Sequence, residues 1–455
     1  MVQFYSAKKK KAIRTIERDK LKVTVNKVTS QGEGLSANRK PPLFIQGGLA
    51  GETLYVKQLS KQKRYWRGVA DDNSIESPHP ARQTAPCEWF SSCGGCTTQH
   101  CTPSTMLEWK QQDLDAQFKR AFALEQLPWE DAIVGPTLQY RRKARLAYDG
   151  RDKNNIRFGF KAKHSTNIVS VSNCIVLTVP LQNVLKTLHS RLTRSAPQPI
   201  GHVTVIEYAN GVGITINFTK APSAQVMAFW QDQFTQWQAH QRVDIFLHVK
   251  QACIAHLTAF SDDALFISVE QVSHTSTVLK PGANDFIQVN EKVNALMVER
   301  AITWLQPKKN DTVLELFAGL GNFTYALAER CLSVIAFEGS DDMVQKAKQN
   351  ALQQGIKNIN WQCADLSMQA IANSLNEFAP DLIMLDPSRD GAEQACLTLK
   401  DAHAKRILYV SCNPQTWARD AKILLSGHFR LAKIALMDMF PYTAHTEMIA
   451  LFERD

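Results

Sequence analysis

The chain has 455 residues, 44% hydrophobic and 21% charged, too long for one ordinary core and too apolar to be disordered throughout. Two or three folded domains are expected, and no uninterrupted apolar run reaches membrane-spanning length. The formal charge of +10 is unevenly placed: residues 1 to 70 carry 16 Lys and Arg against 4 acids, and the remainder holds 37 basic and 39 acidic residues. A segment this basic on a near-neutral chain points to a polyanionic partner, since each phosphate neutralised releases counterions.

The opening run MVQFYSAKKKKAIR is basic but lacks the following apolar stretch and cleavage site of a secretory signal, so a cytoplasmic protein is expected. In that setting ten cysteines speak for metal binding, catalysis or burial over disulfides. LKVTVNKV and ETLYVKQL alternate apolar and polar residues around the turn QGEGLS, which predicts the short strands of a small OB-like barrel. Lys61, Lys63, Arg64, Tyr65, Trp66 and Arg67 interleave charge with stacking surfaces, as oligonucleotide-binding barrels require. Residues 71 to 86 are polar and proline-rich and are expected to form a linker.

Cys87, Cys93 and Cys96 follow as C-x5-C-x2-C, and Gly94 and Gly95 let the chain curl around a centre. Three thiolates so spaced suit zinc or an iron-sulfur cluster, with His100, Cys101 or Cys174 as candidates for the fourth ligand, and spacing alone tilts toward zinc. A helix is expected from about residue 104, leading into an antiparallel-rich α+β central domain with strands in HVTVIEY, VGITINF and ALFISVE. That domain opens on a second basic run, with Arg141, Arg142, Lys143, Arg145, Arg157, Lys161 and Lys163, able to extend a polyanion-binding face. Cys253, Cys331, Cys363 and Cys396 fall in apolar runs or helices and are expected to pack in cores.

From residue 311 strands and helices alternate regularly, which predicts an α/β domain with a doubly wound, Rossmann-like parallel sheet. The turn FAGLGNF follows its first strand, so Gly319 and Gly321 let backbone approach a ligand at the carboxyl edge. Glu338 ends the second strand about 20 residues on, where an acid can hold ribose hydroxyls, and Asp365 and Asp386 end the third and fourth. Asn322 and Phe323 stand where a dinucleotide fingerprint would run on to its third glycine, which favours S-adenosylmethionine over NAD. ILYVSCNP sets Cys412 at a strand end and helix start, where a thiolate is stabilised and can act as a nucleophile; the plain alternative is a buried structural cysteine.

FIQVN at 286 to 290, ELFAGLGNF, AFEGS, LDPSR, SCNP and HTE at 445 to 447 together resemble the uracil-C5 RNA methyltransferase family. The likeness is closest to the branch with an N-terminal TRAM barrel that modifies large-subunit (23S) ribosomal RNA. It implies cofactor contacts from Gln288, Phe317, Asn322, Glu338, Asp365 and Asp386, with Cys412 as nucleophile and Glu447 as proton acceptor. It also implies a [4Fe-4S] cluster on Cys87, Cys93, Cys96 and Cys174. Ala318 stands where relatives often carry cysteine, and LDPSR replaces the commoner LDPPR or LDPAR.

A thiol suits this chemistry because uracil C5 becomes a nucleophile only after addition at C6, and the adduct must then lose its C5 proton to a base. The expected organisation is a basic tail and TRAM barrel over 1 to 75, a cluster-bearing central domain over 76 to 285 and a methyltransferase domain over 286 to 455. The expected partner is single-stranded or remodelled RNA with a flipped uracil, with no membrane and no obligate protein partner. The rivals are the same chemistry on transfer RNA or another ribosomal uridine, amino-group methylation with Cys412 structural, and a non-catalytic RNA-binding iron-sulfur protein.

Overall fold

The computed structural model describes residues 21–238, 242–250, 252–259, 265–270, 276–282, 284–364 and 368–454; the lysine run at the N-terminus and Asp365 lie outside them. The chain forms two compact units. One comprises residues up to Phe90 with Cys96–Gln117 and Tyr442–His445, and the other comprises Ser91–Gly95, Phe118–Pro441 and Thr446–Asp455. The 75/76 step expected from the sequence falls inside the first unit and the 285/286 step inside the second.

In the first unit six strands form a barrel-like sheet in the order Leu21–Thr24, Thr53–Lys61, Trp66–Ala70, Leu43–Gln46, Gly34–Ser36, Lys27–Val28. Alternation puts Leu43, Ile45, Leu54 and Val56 inward, each at most 1% exposed. Gly68 allows this closure, since a Cβ there would sit 2.2 Å from the Val56 side chain. Basic and aromatic residues meet as expected: Arg39 lies 5.5 Å over the Trp66 ring and Arg67 5.7 Å over Tyr65.

The proline-rich stretch after the barrel is not a loose linker. The Glu52 carboxylate is fully buried, and Arg82 donates to its two oxygens through Nε and Nη2, both at 2.6 Å. Burial opposes its ionisation, but Arg82 and the Leu49 and His79 amides hold the carboxyl below the ordinary range. A buried charge persists only when paired this fully, so residues 79 to 82 are stapled to the sheet.

The second unit contains two large sheets. The central one runs Ala252–Leu257, Val243–Val249, Gly211–Phe218, Ile200–Tyr208, Lys143–Asp149, Arg157–Lys161, Ile168–Ser170, with one parallel pair, Gly211–Phe218 beside Val243–Val249. Arg191 donates to Gln236 at 2.6 Å between helices Val179–Arg194 and Ala224–Gln238, and Trp230 of the second helix donates to Gln198 in the loop before Ile200–Tyr208 at 3.0 Å.

The other sheet is the doubly wound one, in the order Ile359–Cys363, Ser333–Glu338, Thr312–Leu316, Leu382–Leu385, Arg406–Ser411, Glu447–Arg454, Phe429–Met437. Its first five strands are parallel, Glu447–Arg454 runs antiparallel to them, and the edge strand Phe429–Met437 pairs antiparallel with Glu447–Arg454. Residues such as Leu314, Ile335, Ile383 and Leu408 are at most 2% exposed, the continuous apolar signature of strands covered on both faces. Cys331 and Cys396 are buried as expected, but Cys253 and Cys363 are exposed because each lies on an edge strand of its sheet. No described helix is long and apolar enough to cross a membrane.

Candidate active site

The carboxyl edge of the parallel sheet carries Phe317, Glu338, Asp386 and Cys412, each at or just past the end of its strand. After Thr312–Leu316 the chain turns through Phe317, Gly319 and Gly321 at φ of 67°, 59° and 101°, so even the non-glycine Phe317 is left-handed. A Cβ on Gly321 would stand 2.4 Å from the Tyr325 ring, which makes glycine obligatory there. The Glu338 carboxylate closes this turn, accepting from Gly319 N at 3.1 Å and from Ser340 N at 2.9 Å. Each oxygen keeps lone-pair capacity for a hydroxyl donor.

Asn322 and Asn294 exchange side-chain amide hydrogen bonds of 2.9 and 3.0 Å, fixing the start of the following helix. Gln288 is half-buried, and its carbonyl accepts from Arg142 Nε at 2.9 Å. The Arg142 backbone amide donates to Val289 O at 2.9 Å, so this segment is anchored to the central sheet.

Cys412 follows the strand Arg406–Ser411, and Asn413 caps the helix Pro414–Leu425 through its side chain. In the sheet Ser411 pairs with Met448, so Cys412 and Glu447 come to the same end of adjacent strands. Asp386 emerges one residue past Leu385, which pairs with Tyr409. The thiol and both carboxyls are half-buried, and the two acids lie close enough to act electrostatically on the thiol.

Their electrostatics are mutual. Burial, reinforced by Glu447 and Asp386 and opposed by Arg389, pushes the Cys412 thiol up to about 11. Burial pushes the Asp386 carboxyl up to about 7. Glu447 is raised well above the ordinary carboxylate range by burial and by Asp386, again opposed by Arg389. The helix start at Asn413 therefore does not dominate: two neighbouring carboxyls and loss of water outweigh it, and the unliganded thiol is protonated at neutral pH.

Several residues that build the site carry no obvious sequence signal. Arg389 is the one cation named above as favouring the charged forms; its carbonyl accepts from Asn413 Nδ2 at 2.9 Å and Thr416 Oγ1 at 3.2 Å, lacing the LDPSR turn to the SCNP turn. Fully buried Asp420 accepts from Ala392 N at 2.6 Å, Tyr409 Oη at 2.7 Å and Arg419 Nε at 2.8 Å. Arg419 in turn donates to the Asp390 carbonyl at 2.9 Å. Arg389 lies within LDPSR, but nothing local marks it out, and Asp420 and Asn294 are helix positions that only tertiary contacts reveal.

The cysteine-rich segment divides between the units, Cys87 and Cys96 with the first and Cys93 and Cys174 with the second. Gly95 N donates to Cys93 Sγ at 3.4 Å, and a Cβ on Gly94 would meet the Lys161 carbonyl at 3.0 Å. Among the described residues no three or more of His, Cys, Asp and Glu are gathered as a metal-holding group.

Five parallel strands closed by an antiparallel pair, a glycine turn met by an acid on the next strand, and a ligand edge at the strand carboxyl ends define a class I methyltransferase fold. The profile of the family described as tRNA (Uracil-5-)-methyltransferase matches residues 105–455, and the chain belongs to that family of enzymes. A 23S rRNA (uracil(1939)-C(5))-methyltransferase RlmD of Alteromonas naphthalenivorans is 35% identical over 441 residues, 95% of this chain and 89% of the relative. The enzyme of the same name from Shewanella amazonensis is 34% identical over 456 residues, covering 100% of this chain and 99% of the relative. Among solved structures, the Pyrococcus abyssi tRNA (uracil-54, C5)-methyltransferase in complex with S-adenosyl-L-homocysteine superposes with a TM-score of 0.70 at 19% identity, over 95% of this chain and 100% of that one. At that identity the likeness speaks for the fold alone.

Proposed function

We propose that the chain transfers the methyl group of S-adenosylmethionine to carbon 5 of a uridine in 23S ribosomal RNA through a covalent adduct on Cys412. The observation that carries this reading is the meeting of Cys412, Glu447 and Asp386 at the cofactor edge of a methyltransferase sheet. The full-length likeness to enzymes that act on 23S rRNA supports that substrate over transfer RNA. A cytoplasmic location goes with that substrate.

S-adenosylmethionine supplies an electrophilic methyl. The residues at the glycine turn suit it: Glu338 offers two amide-fixed carboxylate oxygens to ribose hydroxyls, and nothing would obstruct a ligand beside Gly339, where a Cβ would meet no atom within 4 Å. Phe317, Asn322, Gln288 and Asp386 complete the assigned contacts, with Asp365 outside the described residues.

The chemistry then runs on this chain's side chains. Cys412 gives up its proton to water and its thiolate adds to C6 of a uracil flipped out of its stack, placing the electron pair on C5 and O4. C5 takes the methyl as the carbon-sulfonium bond breaks, leaving S-adenosylhomocysteine. Glu447 accepts the C5 proton, the C5 pair reforms the double bond, and the Cys412 thiolate departs. A carboxyl raised this far is a strong base once ionised, which matches it to a carbon acid.

We assign residues 1 to 75 to RNA binding, 76 to 285 to substrate placement and 286 to 455 to methyl transfer. The [4Fe-4S] assignment to Cys87, Cys93, Cys96 and Cys174 rests on the sequence pattern alone, and no step above passes through it. Iron and acid-labile sulfide in anaerobically purified protein, lost in Cys96→Ala, would carry it; iron-free protein with full activity would end it.

The deciding experiment for the mechanism is adduct trapping. Glu447→Gln accumulates a denaturation-resistant protein-RNA complex that awaits proton removal, and Cys412→Ala forms none and turns over no RNA. Methylation of ribosomal uridines by Cys412→Ala, or of an exocyclic amino group by the wild type, refutes the scheme.

A further inference from the structure

The central sheet has two unlike faces. Val203, Val205, Leu146, Ile214, Ile216, Ile245 and Leu247 are aligned in register and fully buried on one. The other face carries a different row: Arg145 pairs with Thr204, Thr204 with Thr215, Thr215 with Phe246, and Phe246 with His256. The adjoining row on that face places His202 opposite Asn217 and Asn217 opposite His248. Threonines floor this surface, while Arg145 and His256 stand exposed at its two sides.

Three features of the face stand out, beside the packing of Phe246 against the neighbouring hydrophobic core. The His256 ring, its side chain 41% exposed, stacks on Phe246 at 4.3 Å and 15°, and the buried Asp244 carboxylate holds it through Nε2 at 3.2 Å. That is an aromatic platform fixed from behind and open in front. Next to it His248 is 7% exposed with Nδ1 unpartnered, and the neighbouring Asn217 Nδ2 is likewise buried without a hydrogen-bond partner. Leaving buried polar atoms unsatisfied costs about 1 to 3 kcal/mol each, so two such atoms side by side on one face hold unused hydrogen-bonding capacity. On the far side Arg145 Nη2 donates to His202 Nδ1 at 3.1 Å; burial and Arg145 push that imidazole down to about 4, so it stays neutral and aims the guanidinium.

We propose that this face of the central sheet binds unpaired ribonucleotides flanking the target uridine, with a base stacked on His256, its edge hydrogen-bonded by Asn217 and His248, and a phosphate on Arg145. From Arg145 to His256 the row crosses four inter-strand spacings, about 19 Å, room for several nucleotides of an extended strand. An aromatic platform, neutral base-edge groups and a separate cation are the elements by which single-stranded RNA is held. The surface is charge-complementary to RNA because the nearby acid, Asp244, is already engaged by His256 and Thr258. The assignment rests on the reading that the substrate is RNA.

The test measures binding of a short fluorescent single-stranded RNA to the full-length protein, together with methyl transfer to ribosomal RNA. Arg145→Gln and His256→Ala alter exposed side chains and are expected to weaken RNA binding roughly tenfold each. In Arg145→Gln the salt dependence of RNA binding is expected to fall by about one phosphate contact. His256→Tyr keeps a stacking ring and should bind RNA within about twofold of wild type. Wild-type affinity in both Arg145→Gln and His256→Ala overturns the proposal, as does a His256→Tyr variant as weak as His256→Ala. If wild type methylates RNA while these variants bind normally, only this surface is refuted. If wild type transfers no methyl to RNA yet loses RNA affinity in the variants, the methyltransferase reading fails and the surface stands.

Discussion

The Tyr409 hydroxyl donates a 2.7 Å hydrogen bond to the Asp420 carboxylate, linking the strand that ends at Cys412 to the helix that begins just beyond it. Asp420 also takes the Ala392 amide, so strand, helix and the turn carrying Asp386 and Arg389 share one buried acceptor. Asp420→Ala would leave a hydroxyl and an amide buried without a partner, at a cost of about 3 kcal/mol in stability. Because the turn that carries Arg389 would loosen, adduct formation should slow by about tenfold or more while RNA affinity stays within about twofold. Thermal unfolding and single-turnover adduct assays check both, and an Asp420→Ala protein with wild-type adduct rates refutes the link to chemistry.

A thiol raised to about 11 makes a second prediction about ligand-free protein. Only thiolate reacts with iodoacetamide, so labelling of Cys412 should still climb steeply at pH 10, where an ordinary thiol with its midpoint near 8.5 has levelled off. Peptide mass spectrometry separates Cys412 from the exposed Cys253 and Cys363. Arg389→Ala should shift the curve to still higher pH, because the cation opposing the carboxyls is gone. A Cys412 profile with its midpoint at pH 8 to 9 would show that the surroundings of the thiol do not suppress its ionisation.

Glu338 is expected to act on the cofactor side alone. Its carboxylate ties Gly319 N and Ser340 N together, so Glu338→Ala removes both the ribose acceptor and the brace of the glycine turn. The expected result is a rise of about 10-fold or more in the Kd for S-adenosylhomocysteine by calorimetry, with RNA affinity preserved. Unchanged cofactor affinity would remove Glu338 from the proposed contacts.

The parallel sheet was legible because its strands are continuous apolar runs separated by glycine turns, and the strand-end residues Glu338, Asp386 and Cys412 fall where such runs stop. Glu447 was reachable through chemistry, since an adduct needs a base. What the sequence hid is long-range: Arg82 and Glu52 are 30 residues apart, and their pairing turns a polar, proline-rich stretch into a packed one. The protonated state of Cys412 was equally hidden, because a helix start is local whereas Asp386 and Glu447 arrive from other strands. The unlike faces of the central sheet were also out of reach: alternation in VGITINF sorts the faces, but register alone sets Asn217 beside His248.

Glu315, 2% exposed in the strand before the glycine turn, supplies a test with a defined sign. Burial, joined by Asp386, pushes its carboxyl up to about 8, and one of its oxygens has no hydrogen-bond partner. An acid raised on folding ionises more readily in the unfolded chain. The folded state therefore loses stability as pH climbs from the ordinary carboxylate value toward 8, and nothing changes below it. Glu315→Gln removes that ionisation while keeping the shape, so its advantage over wild type should be small at pH 4 to 5 and grow to on the order of 2 to 4 kcal/mol by pH 9. Denaturant melts of both proteins across that range read the difference directly. A gap between glutamine and glutamate that stays constant, or that narrows with rising pH, would mean that Glu315 carries its charge in the folded protein and that the base of the cofactor edge is less desolvated than its burial indicates.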